Sequence, residues 1–364
     1  MLSSIILPSV GILLFVCAVI LCAITLLPYS RHRAWWVRCW EFPRLQIATL
    51  AIIAASLQLG LFAFDTWVSW FVVVASGAVA LIQGWRILPY TGVYPVQAKR
   101  AASSAKGLQI RIMVANVLTP NRNAAGLLAQ VRAQQPDILV TMESDIWWQQ
   151  QLSSLEADYP HRLYQPQDNL YGMHVYSKLP WKQAKIAFLV EDDVPSMHFI
   201  LRLNDSSDMR LHVLHPAPPS PTENASSKPR DAELIQVAKY AQQQQQQHKL
   251  PVMVVGDLND VAWSDSTRLF KKLSGLLDPR VGRGMFNTFH AKYWPLRWPL
   301  DHMFYSDHFQ LVHMQRLPKF GSDHFPMLLE LAFLPSQQHT QEGLMAKAED
   351  HAWAEDTLES SDSP

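Results

Sequence analysis

Residues 108–143 read LQIRIMVAN, VLTP, NRNAAGLLAQVRAQQ, PD and ILVTME in succession, and this stretch decides the class of fold. The first segment, Leu108–Asn116, alternates apolar and polar side chains, which predicts a strand. Alanine, leucine and valine then recur at helical spacing, and Ile138–Met142 is almost entirely apolar, as in a buried strand. A strand, a helix and a second strand in this order are typical of an α/β fold.

More short strands are predicted between residue 144 and residue 334. They are Tyr171–Ser177, Ala184–Val190, His198–Leu203, Arg210–Leu214, Pro251–Val255, Trp298–Tyr305, Phe309–Met314 and Phe325–Leu331. A long helix is predicted over Arg230–Gln247. Because strands outnumber helices, we expect two sheets packed on each other with helices outside.

The first hundred residues have a different character, because they contain three long apolar stretches. These are Ile5–Leu27, Leu45–Phe64 and Trp67–Trp85. Each is close to the roughly 20 residues that a helix needs to cross a bilayer. Buried helices of a soluble domain are the alternative, but no polar face interrupts the runs. We therefore predict three membrane helices, with the lipid bilayer as a partner.

Charge is distributed unevenly along the chain, although the formal net charge is +0. Residues 1–100 carry +5 and residues 335–364 carry −6, which leaves about +1 for the middle. Arginines and lysines cluster between the first two spans and after the third, so the positive-inside rule predicts a cytoplasmic globular domain. That nearly neutral domain lacks the cationic surface of a general DNA binder. The acidic tail is expected to be disordered.

Several motif classes are absent from the sequence. All three cysteines, Cys17, Cys22 and Cys39, lie in or beside the apolar stretches, so the globular part has no disulfide framework or cysteine zinc site. The chain also lacks a phosphate-binding P-loop, a Gly-x-Ser-x-Gly nucleophile elbow and a His-Glu-x-x-His zinc motif.

Polar side chains instead follow the predicted strands. Asn116 ends the first strand, and Glu143 comes directly after the second. A carboxylate at such a sheet edge could hold a hard cation such as Mg²⁺. It could equally stabilise the N-terminus of a following helix.

A second group, Gly256-Asp257-Leu258-Asn259, follows the apolar strand before it. Gly256 permits a sharp turn, so the two polar side chains can face one site. Asp257 could then orient or deprotonate a water molecule, and the Asn259 amide could bind a developing phosphorane oxygen. An Asx turn that merely closes a loop would also satisfy this sequence.

The third group contains Asp301 and the pair Asp323-His324, and His215 precedes a proline-rich turn. An imidazole near a phosphate can protonate a leaving oxygen, and a buried carboxylate such as Asp301 would fix its tautomer. Taken alone, each histidine is more simply a structural residue.

Taken together, these segments resemble the endonuclease/exonuclease/phosphatase superfamily, which includes pancreatic deoxyribonuclease, apurinic endonucleases, neutral sphingomyelinases and inositol polyphosphate 5-phosphatases. The matching segments are 114–116, 136–143, 213–215, 254–259, 288–289, 300–302 and 321–326. The resemblance implies a four-layer α/β/β/α sandwich of two mixed sheets, with the site at one end. The spans ahead of the domain are similar to those of a bacterial membrane-bound subgroup, which implies an inner-membrane location.

The resemblance also implies a metal site and a catalytic set. Asn116, Glu143 and Asp323 would hold or neighbour Mg²⁺, with Mn²⁺ as a substitute. The catalytic set implied by the family motif comprises Asp257 as the activator of water, Asn259 as its transition-state partner, Asp301 as the orienting carboxylate of His324, and His215 as a second imidazole.

Four further residues are expected to bind substrate phosphate or line its pocket. Lys178 stands where the family usually has arginine, and it offers a point charge instead of a fork. Trp263, Arg280 and Arg283 lie on loops expected to approach the same face.

The sequence thus predicts a membrane-anchored, metal-dependent phosphoester hydrolase. Its substrate could be a lipid head group, a nucleic acid or a small molecule. A non-catalytic membrane-anchored binding or scaffold protein on the same fold is the alternative. The predicted division is a membrane domain over 1–90, a linker over 91–107, a catalytic domain over 108–334 and a tail over 335–364.

Overall fold

The structure, a computed structural model, describes residues 2–102 and 107–361, with side chains over 8–102 and 107–360. The middle of the predicted linker, 103–106, and the end of the tail, 362–364, lie outside the described residues. The helices are α1 (Leu2–Leu26), α2 (Trp35–Arg38), α3 (Arg44–Leu61), α4 (Trp67–Ile87), α5 (Ala124–Gln134), α6 (Ile146–Gln151), α7 (Lys228–Gln247), α8 (Asp265–Ser274) and α9 (Ala348–Ser361).

The strands form two mixed sheets. They are β1 (Leu108–Asn116), β2 (Ile138–Met142), β3 (His161–Gln165), β4 (Met173–Ser177), β5 (Trp181–Ala187), β6 (Ser196–Asn204), β7 (Ser207–Leu214), β8 (Val252–Asp257), β9 (Asp301–Tyr305), β10 (Phe309–Arg316) and β11 (Met327–Phe333). One sheet has the order β10-β11-β1-β2-β4-β3, and the other has the order β5-β6-β7-β8-β9. The pairs β1–β2 and β7–β8 are parallel.

The alternation read from the sequence places the two sheets face to face. Ile112 and Val114 of β1 enter the shared core with Val255 of β8, whereas Met113 between them faces outward. Helices α5 and α6 cover that outer face, and α7, α8 and α9 cover the outer face of the second sheet. The predicted four-layer α/β/β/α sandwich of two mixed sheets is therefore confirmed.

Three helices near the N-terminus are long and apolar enough to cross a membrane: Pro8–Ser30, Arg44–Leu61 and Trp67–Tyr90. They pack on one another through small apolar clusters that include Ala18, Ala51 and Val72. Their lengths fit the three spans expected from the sequence.

The segment between the first two of these helices, residues 31–43, is called the interspan segment here. It lies against the sandwich: Trp35 N donates to Ala225 O at 3.0 Å, and Trp263 Nε1 donates to Glu41 O at 2.8 Å. The Glu41 carboxylate is fully buried and lies 3.4 Å from Arg38 Nη1. Burial raises its pKa to about 7 in spite of this arginine.

The region after residue 334 differs from the disordered tail that we expected. It includes α9, which packs on α7 and α8, and Ala354 is completely buried there. Trp353, Ala354 and Leu358 recur on one face of the helix, so a short acidic segment still presents an apolar stripe. An ion pair between Lys272 and Asp350 at 2.7 Å adds a polar contact.

Candidate functional site

The polar residues that follow the strands meet at one end of the sandwich. Asn116 ends β1 and Glu143 follows β2, so the first sheet supplies both side chains. Asp257 ends β8 in the second sheet, and Asp301 is its register partner on antiparallel β9. His324 lies just before β11, the strand that runs antiparallel to β1. Parallel strands therefore bring their carboxyl ends, and antiparallel strands their amino ends, to the same edge.

A hydrogen-bonded group joins the two sheets at this edge. Asn116 Nδ2 donates to Glu143 Oε1 at 2.6 Å and to Asp257 Oδ2 at 3.2 Å. The Asn116 Oδ1 atom accepts from the backbone N–H of Leu118 at 3.0 Å, which fixes the orientation of the amide. Glu143 has a φ of 56°, an unusual conformation for a glutamate that turns the chain sharply after β2. Burial raises the pKa of Glu143 to about 7, although the Asn116 hydrogen bond opposes the rise.

His324 lies between two carboxylates. Its Nδ1 is 2.7 Å from Asp301 Oδ2, and its Nε2 is 3.4 Å from Asp257 Oδ2. Burial by itself lowers the pKa of His324, but the charges of Asp301 and Asp257 outweigh it and raise the pKa to about 10. Ser322 Oγ accepts from the His324 N–H at 3.0 Å and donates to Asn116 O at 2.8 Å, so the loop before β11 is tied to the end of β1.

Asn259 and His215 complete the group. The Asn259 N–H donates to Asp257 Oδ1 at 3.0 Å, and its Nδ2 donates to Pro216 O at 3.0 Å. His215 Nε2 lies 4.0 Å from Asp257 Oδ2, and burial lowers the pKa of His215 even though Asp257 opposes the shift. Burial also favours the neutral form of Asp257, but the neighbouring imidazoles and hydrogen bonds outweigh it and lower its pKa.

The donor atoms fit a hard divalent cation. Glu143 Oε2 and Asp301 Oδ1 are both buried, and neither has a hydrogen-bond partner among the described residues. A buried carboxylate oxygen without a partner is costly, and a metal ion would satisfy it. Atoms of Asp257, Asp301 and His324 also lie within 4.8 Å of one another.

Of these two arrangements, the Glu143 side fits a cation better. His324 is already paired with Asp301 and holds its proton, and a protonated imidazole cannot act as a ligand. Glu143 instead presents a buried carboxylate oxygen without a partner among the described residues, Asn116 Nδ2 orients that carboxylate, and Asp323 lines the same cavity.

The site opens into a cavity of about 600 Å³. Glu143, His215, Asn259, Asp323 and His324 form its polar end. Its walls are largely apolar and come from the sandwich and from the interspan segment. The main apolar residues are Trp40, Phe42, Leu170, Phe289, Leu296 and Trp298.

The four residues expected to bind substrate do not line this cavity. Lys178 Nζ lies 3.3 Å from Gln135 Oε1, beside the start of β2 and not its end. Trp263 is buried against the interspan segment. Arg280 is buried too, with its Nε donating to Asp278 at 2.9 Å, and Arg283 donates to the backbone oxygens of Pro279 and Ala98. Lys178, Arg280 and Arg283 are therefore held in structural contacts, by partners that their positions in the sequence did not indicate.

One part of the site was missed at the sequence level, namely the wall that residues 35–43 supply. Its signal was the aromatic cluster of Trp35, Trp36, Trp40 and Phe42, which was not considered as part of a site. Trp35, Trp40 and Phe42 line the cavity.

Comparisons with known proteins agree with this architecture. The human nocturnin catalytic domain, solved with a bound sulfate anion, matches with a TM-score of 0.51 and 19% identity over 62% of this chain and 93% of that chain. TDP2 from D. rerio in complex with a single-strand DNA product matches with a TM-score of 0.51 and 15% identity, over 61% and 98% of the two chains. An endonuclease/exonuclease/phosphatase family protein from Bacteroides thetaiotaomicron gives 0.50 and 18%, over 65% and 100%.

At these identities the structural matches establish the fold alone. No curated protein sequence matches the chain significantly. A family model described as the endonuclease/exonuclease/phosphatase family matches residues 113–324, which runs from β1 to His324 and covers more than half of the chain. The chain is a member of the endonuclease/exonuclease/phosphatase family.

Proposed function

We propose that the protein is a membrane-anchored, divalent-metal-dependent phosphoester hydrolase. The observation that carries the proposal is the hydrogen-bonded and ion-paired group of Asn116, Glu143, Asp257, Asp301 and His324, from which Glu143 and His324 reach the polar end of one cavity. Members of this family hydrolyse phosphoesters, and a decayed site would not be expected to keep all five side chains in contact.

Each side chain has a task in the proposed reaction. Asp257, with its lowered pKa, is ionised at neutral pH and accepts a hydrogen bond from the attacking water. As water adds to phosphorus, one of its protons passes to Asp257 and the ester P–O bond breaks. The leaving alkoxide takes up a proton from solvent, and the products are an alcohol and a phosphate. The protonated His324 faces the phosphate and stabilises its growing negative charge, while Asp301 holds the imidazole in place.

Asn116, Glu143 and Asp323 are the proposed metal ligands, and Mg²⁺ is the proposed ion, with Mn²⁺ as a substitute. The bound ion would polarise a phosphoryl oxygen. Asn259 would donate to another phosphoryl oxygen, after its amide leaves Pro216 O.

We also propose a membrane domain over 1–90, a linker over 91–107 and a catalytic domain from 108 on which α9 packs, with the sandwich in the cytoplasm at a bacterial inner membrane. Helices α3 and α4 return the chain to the side of the interspan segment, and that segment contacts the sandwich. A C-terminal alkaline phosphatase fusion should therefore be inactive. An active fusion would place the sandwich outside the cytoplasm.

The test of activity uses the full chain in detergent with 4-nitrophenyl methyl phosphate, a soluble diester, and 4-nitrophenyl phosphate, a monoester. We expect turnover with Mg²⁺ and none with excess EDTA. Asp257→Ala should abolish turnover, and Asp307→Asn, an aspartate beside a histidine at the other end of β9, should retain it. A wild-type rate no higher than that of Asp257→Ala on both esters would favour the non-catalytic scaffold instead.

A further inference from the structure

The apolar wall of the cavity lies next to a membrane helix. Phe42 packs edge-on against Trp298 with ring centroids 5.7 Å apart, which joins the interspan segment to the loop before β9. Helix α3 begins at Arg44, only two residues after Phe42. This wall of the cavity therefore lies beside the end of α3 that would enter a bilayer.

A second contact joins the loop over 293–298, called the aromatic loop here, to the same end of α3. Gln46 Nε2, in the first turn of α3, donates to Pro295 O at 2.6 Å. Trp294 at the tip is 77% exposed and Tyr293 is 59% exposed. Aromatic side chains that are exposed beside the end of an apolar helix are typical of the membrane–water interface.

The charge of the cavity discriminates between substrate classes. Within the described residues, the cavity lining includes neither lysine nor arginine. A nucleic acid strand needs cations along its backbone path, so this lining is unsuited to it. A long apolar wall beside a polar end suits an amphipathic molecule, with the ester at His324 and a hydrocarbon chain along Phe42 and Trp298.

From these observations we propose that the substrate is a phosphoester carried by a membrane lipid, which enters from the bilayer between the interspan segment and the aromatic loop. This inference rests on the proposed hydrolase function. It adds that the apolar part of the lipid binds along the wall of Trp40, Phe42, Leu296 and Trp298, while the phosphate reaches His324 and Asn259.

The experiment measures how the rate depends on an alkyl chain. The full protein in lipid nanodiscs is given 4-nitrophenyl alkyl phosphates from methyl to octyl, each below its critical micelle concentration. Each buried methylene contributes up to about 0.8 kcal/mol, so partial burial should raise kcat/KM by at least about tenfold from methyl to octyl. Trp298→Ala should flatten this dependence, because it removes part of the wall.

A second variant guards against misfolding of the first. Trp294→Ser changes an exposed side chain at the tip, and it should lower the rate on a hexadecyl ester embedded in phosphatidylethanolamine–phosphatidylglycerol vesicles by several-fold relative to the methyl ester. Tyr240→Ser, on α7 at the outer layer, is the matched aromatic control and should leave that ratio unchanged.

The failures of the two proposals are distinguishable. A wild-type rate that does not change with chain length would overturn the lipid inference and leave the hydrolase intact. Faster hydrolysis of thymidine 5′-(4-nitrophenyl phosphate) than of the octyl ester would overturn it in favour of a nucleic acid. If no ester, including the methyl ester, is turned over faster than by Asp257→Ala, the hydrolase proposal itself fails.

Discussion

The pairing of His324 with Asp301 makes a quantitative prediction for Asp301→Asn. Unit charges 2.7 Å apart attract by about 6 kcal/mol at an effective dielectric constant of about 20. One pKa unit corresponds to about 1.4 kcal/mol, so losing the Asp301 charge should bring the His324 pKa from about 10 down to the neutral range or below. Asp257 would still hold part of the imidazolium charge.

The sign of the pH effect follows from the direction of this shift. In the native protein His324 stays protonated as long as the pH is below about 10, so its contribution to catalysis is lost only above that pH. In Asp301→Asn the proton should leave near neutral pH. We therefore expect kcat on 4-nitrophenyl methyl phosphate to fall by about 10²–10³-fold at pH 9, the usual range for loss of one charge-stabilising donor, and by much less at pH 6.

The assay is a kcat profile from pH 5.5 to 9.5 at saturating Mg²⁺, with Asp307→Asn as the matched control. Asp307 is also an aspartate beside a histidine, with Oδ1 at 3.5 Å from His308 Nδ1, but it lies at the opposite end of β9. A loss of equal size at pH 6 and pH 9 would refute the reasoning, because it would mean that Asp301 does not act through the charge of His324.

Three further changes test the metal site, the close approach of β7 and β8 at Gly256, and the interspan contact. Glu143→Gln should raise the Mg²⁺ concentration for half-maximal activity by at least about tenfold, and an unchanged value would remove Glu143 from the ligand set. In Gly256→Ala the new Cβ would lie 1.9 Å from Leu214 O at a φ of +144°. The control Gly275→Ala, at a φ of +69°, meets open space and costs only about 1–2 kcal/mol. Gly256→Ala should therefore lower the temperature of thermal unfolding in detergent much more than Gly275→Ala does. Glu41 has a pKa of about 7, so at pH 8 it is ionised beside the buried Arg38 and Arg44. Glu41→Ala should lower the free energy of unfolding at pH 8 by about 3–5 kcal/mol, because it removes the carboxylate that pairs with these arginines. A loss below 1 kcal/mol would contradict this.

Local patterns were enough to predict the strands at the centre of the fold. The alternation over Leu108–Asn116 and the apolar run over Ile138–Met142 predict β1 and β2 with their observed bounds. Both strands are buried in the core, and burial fixes which side of the sheet each side chain faces. The edge strand β3 was missed, since all of its residues are only half-buried and its sequence, HRLYQ, has no strong alternation. Helix α9 was missed because it is rich in acidic residues and has only two large apolar side chains, Trp353 and Leu358.

The candidate site was predictable to the extent that it follows strand ends. Asn116, Glu143 and Asp257 each sit within one residue of a strand end, so the topology alone gathers them. Arg280 shows the limit of that reasoning. Its charge suggested phosphate binding, but Asp278 lies two residues away and satisfies it at 2.9 Å in a buried pair. Sequence spacing cannot tell a cation that is committed to a neighbour from one that is free for a ligand.

The loop after β8 links the proposed chemistry to the proposed anchor. Asn259 faces the cavity, and the next residue, Asp260, is buried 3.4 Å from Arg230. Four residues after Asn259, Trp263 donates to the Glu41 backbone in the interspan segment. The buried charge pair fixes the loop to α7, where breaking it would cost about 3–5 kcal/mol. The Asp265 N–H also donates to Glu41 Oε1 at 3.1 Å, so we expect the loop and the interspan segment to move as one unit. The distance between the reacting phosphate and the end of α3 is then set by the fold, which is what an enzyme needs if its substrate never leaves the bilayer.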